Sequence, residues 1–343
     1  MKTRFALLTL ALLGLLAAVP APAVAKDPVK IKVGVTVPTM GNPSYALYYN
    51  GIVEGFYKEE GLDVTIVPGG AGISPVQALA SGLTDFQDVS TGTIMIARAN
   101  NNVPIKGIYQ WHQGTNVLNG EWIRSGYRLA VLEGSPIQTA KDLKGKTIGV
   151  FSLDNYIYFD LLYTLKQAGL TKDDVKIVPT QMGGIAALDR GQIDALGSWG
   201  AQLYAAEYRG AKFRLLAGPR KSYYDGLTTA VTEKMLKERP EVVRGYCRAM
   251  QKVTAWTLDR KNWPKTFENM KAFIPEQVKD LKFAQGYYEL SLDWDDDNTR
   301  KNGAHGWMRP WEELQATHDW YLEIGLLKRS IDLREAFSNE CLK

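Results

Sequence analysis

Histidine and cysteine are scarce in this chain, with three His and two Cys among 343 residues. His112, His305 and His318 lie too far apart for the i, i+4 pair of a zinc protease, and two cysteines make no zinc ribbon. No metal site is expected. Charge of one sign is also lacking: 41 Lys plus Arg face 37 Asp plus Glu, a formal net charge of +4. Nucleic-acid binders carry a larger and clustered basic excess, so nucleic acid is not an expected partner. After the N-terminal segment, no apolar run approaches the roughly 20 residues that a membrane-spanning helix needs. Hydrophobic content of 45% and charged content of 23% describe an ordinary globular protein. The length suits two domains or lobes, each with a core of its own.

Motifs of familiar chemistry begin and then fail. Asp293-Trp294-Asp295-Asp296-Asp297 starts like a calcium loop, but Asn298 replaces the required Gly and Ala304 stands where a bidentate Glu belongs. It reads as a solvated acidic turn. Gly70-Ala71-Gly72 follows a strand pattern, yet the third glycine of a dinucleotide fingerprint falls on Pro75. Gly197-Ser198-Trp199-Gly200 lacks nucleophile-elbow spacing. No catalytic residue and no cofactor is expected.

The N-terminal segment reads as a secretory signal. Lys2 and Arg4 precede an apolar stretch from Phe5 to Val19, and Ala23-Val24-Ala25 is a small-x-small cleavage pattern. A membrane anchor would need a longer run without Pro20 and Pro22. Residues 1–25 are therefore expected to be removed, leaving a protein outside the cytoplasm. An oxidising compartment permits a disulfide between Cys247 and Cys341. The alternative is a buried Cys247 on an apolar helix face with Cys341 loose near the terminus, since spacing does not reveal proximity.

Short β-branched runs alternate with longer helical patterns, the mark of α/β layering. Strands are expected at Ile31 to Val37, Asp63 to Val67, Phe86 to Val89 and Val103 to Gln110, then at Thr147 to Val150, Val175 to Pro179 and Ile193 to Gly197. Helices are expected at Tyr45 to Glu60, Ser74 to Ser81, Thr91 to Asn101, Tyr156 to Ala168, Gly183 to Arg190 and Ala201 to Tyr208. From Thr232 onward the pattern is helical: Glu233 to Glu238, Pro240 to Arg260, Pro264 to Ala272, Pro275 to Glu289 and Trp307 to Leu322. Each of Pro240, Pro264 and Pro275 suits the first turn of a helix, where its missing N–H is not needed. Trp307, Trp311 and Trp320 have the spacing of core residues rather than of a cofactor cage.

An internal echo suggests two similar halves. Leu79, Gly82 and Asp85 recur as Leu188, Gly191 and Asp194, each 109 positions later. Each set reads as a helix ended by glycine and a strand begun by aspartate. Small and polar residues then cluster at the carboxyl ends of the expected strands, where open α/β sheets bind ligands. In the first half these include Thr39, Asn42 and Tyr45, then Gly72, then Asp88, Ser90 and Thr91. In the second they are Asp154, Asn155 and Tyr156, then Met182, then Trp199. Ser, Thr, Asp and Asn in such places also serve simply as helix caps. Tyr224 adds an aromatic ring from an expected crossing segment. The loops contain no Arg or Lys, while Tyr45, Tyr156, Trp199 and Tyr224 offer aromatic faces and helix N-termini offer N–H donors. A small ring-containing, neutral or zwitterionic solute with one electronegative group suits them, a pyrimidine-like compound first and a sulfonate or aromatic carboxylate behind it. Asp88 and Asp154 would accept from an amine or ring N–H.

Gly55 to Val64, Lys141 to Val150 and Ala187 to Ala195 resemble segments of the periplasmic solute-binding proteins of ABC importers for sulfonates, taurine, nitrate and thiamine-precursor pyrimidines. The resemblance implies an α/β, two-lobed periplasmic-binding-protein (type II) fold. Each lobe would be a mostly parallel sheet flanked by helices, with a helical C-terminal tail. It implies lobe 1 at residues 26–130, lobe 2 at 131–224, and a return to lobe 1 with the tail at 225–343. Crossing segments would lie near Tyr127 to Glu133 and Ser222 to Val231. It implies binding without turnover, by a periplasmic monomer whose partners are a small-molecule ligand and the transmembrane subunits of an ABC permease. Two other classes stay open: an enzyme like the eukaryotic synthase of the thiamine pyrimidine, and a ligand-sensing module. Ala201, where many members have Pro, and Asp154-Asn155-Tyr156, where sulfonate binders carry a Ser/Thr cluster, point away from a simple sulfonate.

Overall fold

A computed structural model describes residues 27–35, 45–68, 74–112, 117–118, 121–122, 127–216, 227–276, 278–286 and 311–342. Two five-stranded sheets organise them. The first half runs β1 (Val29–Val35), α1 (Ala46–Val53), α2 (Phe56–Glu59), β2 (Leu62–Pro68), α3 (Pro75–Ala80), β3 (Phe86–Ser90), α4 (Thr91–Asn101) and β4 (Ile105–His112). A short hairpin of β5 (Val117–Leu118) and β6 (Glu121–Trp122) follows. The second half runs β7 (Tyr127–Leu132), β8 (Thr147–Val150), α5 (Tyr156–Gln167), β9 (Lys176–Pro179), α6 (Gly184–Asp189), β10 (Ala195–Trp199), α7 (Gly200–Tyr208) and β11 (Phe213–Leu216). The chain continues through β12 (Leu227–Thr232), α8 (Glu233–Glu238), α9 (Pro240–Leu258), α10 (Trp263–Lys271), α11 (Trp311–Glu323) and α12 (Leu333–Ala336).

The first sheet has the order β2-β1-β3-β12-β4 and the second β11-β7-β10-β8-β9. β1 is parallel to β2 and β3, and β8 to β9 and β10. One strand in each sheet runs against its neighbours: β12 in the first and β7 in the second. Of the expected crossing segments, Tyr127–Leu132 forms β7 and residues 227–231 lie in β12, while residues 222–226 lie outside the described residues. Tyr127 already belongs to the second sheet, three residues before the expected end of lobe 1, and β12 returns the chain to the first. A single antiparallel strand is what a chain makes when it enters a sheet from the opposite side.

Burial explains the strand patterns. β1 alternates, with Ile31, Val33 and Val35 buried and Lys32 exposed, whereas all five residues of β3 are buried because helices cover both faces. One face of the first sheet packs on α1, α9 and α10 through Tyr48, Tyr57, Phe86, Tyr246 and Met250. The other packs on α4, α11 and α12 through Val89, Ile94, Trp320 and Phe337. α5 covers one face of the second sheet, and α6 and α7 supply residues packed on the other. His318, expected to be no metal ligand, is buried and accepts from the Ile331 N–H at Nε2, so its Nδ1 carries the proton toward Asp319. Among the described residues no group of three His, Cys, Asp or Glu could hold a metal ion, and no helix is long and apolar enough to cross a membrane.

Some boundaries differ from the sequence expectations for local reasons. The helix expected from Tyr45 to Glu60 is split into α1 and α2 by Gly55, whose φ of 85° is left-handed. β4 begins after Pro104 rather than at Val103, and β10 runs on to Trp199. The helix expected from Pro275 begins only at 281, because Asp280 supplies the cap, its Oδ1 accepting from Phe283 N at 3.0 Å. α11 begins among the described residues at Trp311; Trp307 and the acidic run at Asp293 lie outside them.

The echoed residues do the same work twice. Gly82 and Gly191 take left-handed φ angles of 77° and 65° as their helices end. Asp85 then donates its backbone N–H to Lys32 O and accepts Lys32 N at Oδ2, both at 2.8 Å. Asp194 makes the matching pair with Thr147 O and Thr147 N, again at 2.8 Å. Replacing Asp85 by Ala removes a charged acceptor from a backbone N–H. It should destabilise the first lobe by about 1–2 kcal/mol, read as a lower urea midpoint at unchanged m-value.

Cys247 on α9 and Cys341 are joined as a disulfide, tying the chain end to the helix layer across 94 residues. Denatured, unreduced protein should show no free thiol. Reduction should lower stability by about 2–5 kcal/mol; two free thiols before reduction would contradict the bridge.

Candidate functional site

The segments that follow β3 and β8 meet, since Thr93 in the first turn of α4 reaches the Asp154 carbonyl before α5, and the strand ends beside them are candidate walls of a cleft. In the first sheet Ser90 ends β3 opposite Leu227, the first residue of β12. In the second, Trp199 ends β10 opposite Tyr127, the first residue of β7. Ser90 lies five residues beyond Asp85 and Trp199 five beyond Asp194, so they are one position in the repeated frame. Each immediately precedes a helix, α4 and α7 respectively.

The two positions differ chemically. Ser90 caps α4, its Oγ accepting from Thr93 N at 3.3 Å and lying 2.7 Å from Thr93 Oγ1. Trp199 makes no side-chain cap, which leaves the first N–H groups of α7 without a hydroxyl or carboxylate lid from that residue. Its ring is half-buried and meets Phe151 edge-on, with centroids 5.6 Å apart. Phe151 directly follows β8. Tyr156 begins α5, half-buried where the cores of both lobes meet.

Among the described residues, Thr93 Oγ1 reaches across to the other half and donates to the backbone carbonyl of Asp154 at 2.7 Å. It joins the first turn of α4 to the loop before α5. The Asp154 side chain is exposed, and Asn155 caps α5 through Oδ1, which accepts from Ile157 N at 2.9 Å. Met182 is 38% exposed beside Gln181, a non-glycine residue held at a φ of 49°. The Gln181 N–H donates to Phe151 O at 3.0 Å, anchoring this lip to the loop that carries Phe151.

The sequence-derived site residues thus divide into three groups. Asp154, Asn155, Tyr156, Met182 and Trp199 lie at strand ends or in the loops after them and keep some exposure, while Ser90 at the end of β3 is buried at 6% exposure. Tyr45, Thr91 and Asp88 are buried, at 3%, 0% and 0% exposure. The Thr91 hydroxyl is 3.0 Å from that of Thr228 and accepts from Gln110 Nε2 at 3.4 Å, so it joins α4 to its sheet. Tyr45 packs on Tyr48, ring centroids 6.3 Å apart. Asp88 lies among Tyr48, Tyr246 and Thr229; burial pushes the Tyr48 hydroxyl well above its usual pKa, and the nearby Tyr246 and Asp88 add to that. Asp88 is thus a core carboxylate in this arrangement rather than part of the rim. Thr39, Asn42, Gly72 and Tyr224 lie outside the described residues. Thr93, Phe151 and Gln181 were not singled out from sequence. Thr93 was findable as the third residue after a strand-end serine cap, and Phe151 as the residue following a buried strand.

A family model described as NMT1/THI5 like matches residues 42–262. The riboflavin-binding protein RibY of Chloroflexus aurantiacus is 25% identical over 335 residues, covering 93% of this chain and 88% of that protein. The alkanesulfonate-binding protein SsuA of Xanthomonas axonopodis, solved with MOPS bound, superposes with a TM-score of 0.68 at 16% identity. It covers 91% of this chain and 99% of its own. The desulfurization enzyme DSZB superposes with a TM-score of 0.59 at 16% identity, over 90% of this chain and 96% of its own. The chain belongs to the NMT1/THI5-like family and has the type II periplasmic-binding-protein fold.

Proposed function

We propose that this protein is the extracytoplasmic solute-binding component of an ABC importer, which closes over a small ring-containing organic solute and hands it to a membrane permease. The observation that carries this reading is the rim of the second lobe. Trp199 stands at a helix N-terminus with its ring braced by Phe151, and Tyr156 and the exposed Met182 lie on neighbouring strand-end loops. Such a lip offers apolar and π surface beside the N-terminus of α7. The loop segments 88–92, 151–156, 181–184 and 197–200 contain no Lys or Arg, which disfavours a bare dianion. RibY, by its name, binds riboflavin, whose ring system contains a fused pyrimidine. That supports the ring class and places flavins beside simpler pyrimidines among the compounds to try. The working form is a monomer outside the cytoplasm.

An enzyme remains the rival class because DSZB, named as an enzyme, shares the fold. Binding and turnover separate in one assay, since a transported solute is recovered unchanged after incubation with the protein.

A thermal-shift panel of riboflavin, an aminopyrimidine, an alkyl sulfonate and nitrate tests the ligand class. A compound at 100 times its dissociation constant stabilises the folded state by about 2.7 kcal/mol, so a true ligand gives a clear rise in Tm. The ring compounds are expected to give it. Trp199→Ala should weaken binding of the responding compound by about tenfold, the value of about 1.4 kcal/mol of lost stacking, with the unliganded Tm nearly unchanged. A response to nitrate or the alkyl sulfonate alone would overturn the ring reading, and a large loss of unliganded Tm with affinity intact would make Trp199 a packing residue.

A further inference from the structure

The helices that carry the second lobe's rim are gripped from outside the cleft by the C-terminal region. α5 contributes Phe159 and Tyr163 to a core otherwise built on the first lobe, alongside Val89, Ile94 and Met95. There Phe159 meets Tyr321 with centroids 5.0 Å apart, and Tyr163 meets Trp320 edge-on at 5.1 Å. One turn further along α5, Lys166 Nζ lies 4.8 Å from the centre of the Trp320 ring and pairs with Glu323. α7 is held at a second point. Tyr204 stacks on Phe283 at 5.9 Å, Tyr208 packs on the same ring at 5.2 Å, and the Tyr208 hydroxyl donates to Asp280 Oδ2 at 2.9 Å. Phe283 also packs against the cluster that contains Trp199.

Both gripping segments are rooted in the first lobe. Val278 and Ala284 flank Phe283 and are buried in the core beneath α1 and α9, while Leu314 and Tyr321 are buried against α4. Phe283 and Trp320 therefore bridge the lobes at two separate places. The grip coincides with rims in direct contact, since Thr93 reaches the Asp154 carbonyl across the cleft.

We propose that the C-terminal region is a two-point clasp in which Phe283 and Trp320 are positioning residues for lobe closure. They hold the second lobe over the first without touching the solute. Aromatic pairs of this kind favour the arrangement in which they form, so the closed form is populated before ligand arrives. A protein whose competent form is already populated loses no apparent affinity to the cost of closing. The idea rests on the two-lobed binding reading only for this last consequence, and its test needs no ligand.

Small-angle X-ray scattering of the unliganded protein is the test. Phe283→Ala/Trp320→Ala should raise the radius of gyration above that of the wild type while far-UV circular dichroism stays the same. Phe283→Tyr/Trp320→Phe should bring the radius back toward the wild-type value. A purely structural role would not produce an expanded yet fully helical protein that conservative rings restore. If the double alanine variant does not fold, Lys166→Ala/Tyr208→Phe decides, because it removes only exposed contacts of the same two grips. Expansion in that variant supports the clasp. A wild-type radius in whichever folded variant is measured overturns it, and neither result depends on which solute is imported.

Discussion

Two aspartates set the geometry on which the cleft depends. Asp85 and Asp194 each tie the start of a strand to the strand beside it by donating a backbone N–H and accepting one at the carboxylate, all four bonds at 2.8 Å. Register in a parallel sheet decides which side chain arrives at the carboxyl end. With the strand start held, β3 delivers Ser90 and β10 delivers Trp199 to the cleft after the same number of residues. The left-handed glycine just before each aspartate turns the chain out of its helix and into that register.

On this repeated frame the two rims acquire different chemistry. Ser90 spends its hydroxyl on capping α4 and on Thr93, so the first lobe presents a closed, polar edge. Trp199 leaves the start of α7 without a side-chain cap and puts an aromatic ring there, backed by Phe151. In the proposed function, one lobe meets the other through Thr93, and the other supplies the surface for a ring. The C-terminal region joins the two halves again through aromatic contacts on α5 and α7, while the Cys247–Cys341 bridge fixes its end to α9 in the first-lobe core.

Much of this frame was legible in the sequence because it depends on local rules. Glycine at helix ends, aspartate at strand starts and proline in first helical turns each act within a few residues, and the 109-residue echo marked the repeat. The strand character of β7 and β12 was not legible, because it comes from pairing with strands far away in sequence. The site was legible only at its rims. Nothing local distinguishes Asp154, whose backbone is used, from Asp88, whose side chain is enclosed by Tyr48, Tyr246 and Thr229 brought together from α1, α9 and β12. Thr91, expected as a ligand contact, also lies beside Thr228 and Gln110, which the pairing of β12 with β4 brings to it from far away in sequence.

The central claim is that an aromatic rim on one lobe and a polar, capped rim on the other close over an intact ring-bearing solute. Mass spectrometry of small molecules released on denaturing protein purified under native conditions tests it most directly. The account predicts one ring compound in an amount approaching one per protein chain, unchanged in mass after prolonged incubation with fresh protein. An inorganic anion or an alkyl sulfonate as the released species, or conversion of the compound on incubation, would contradict it.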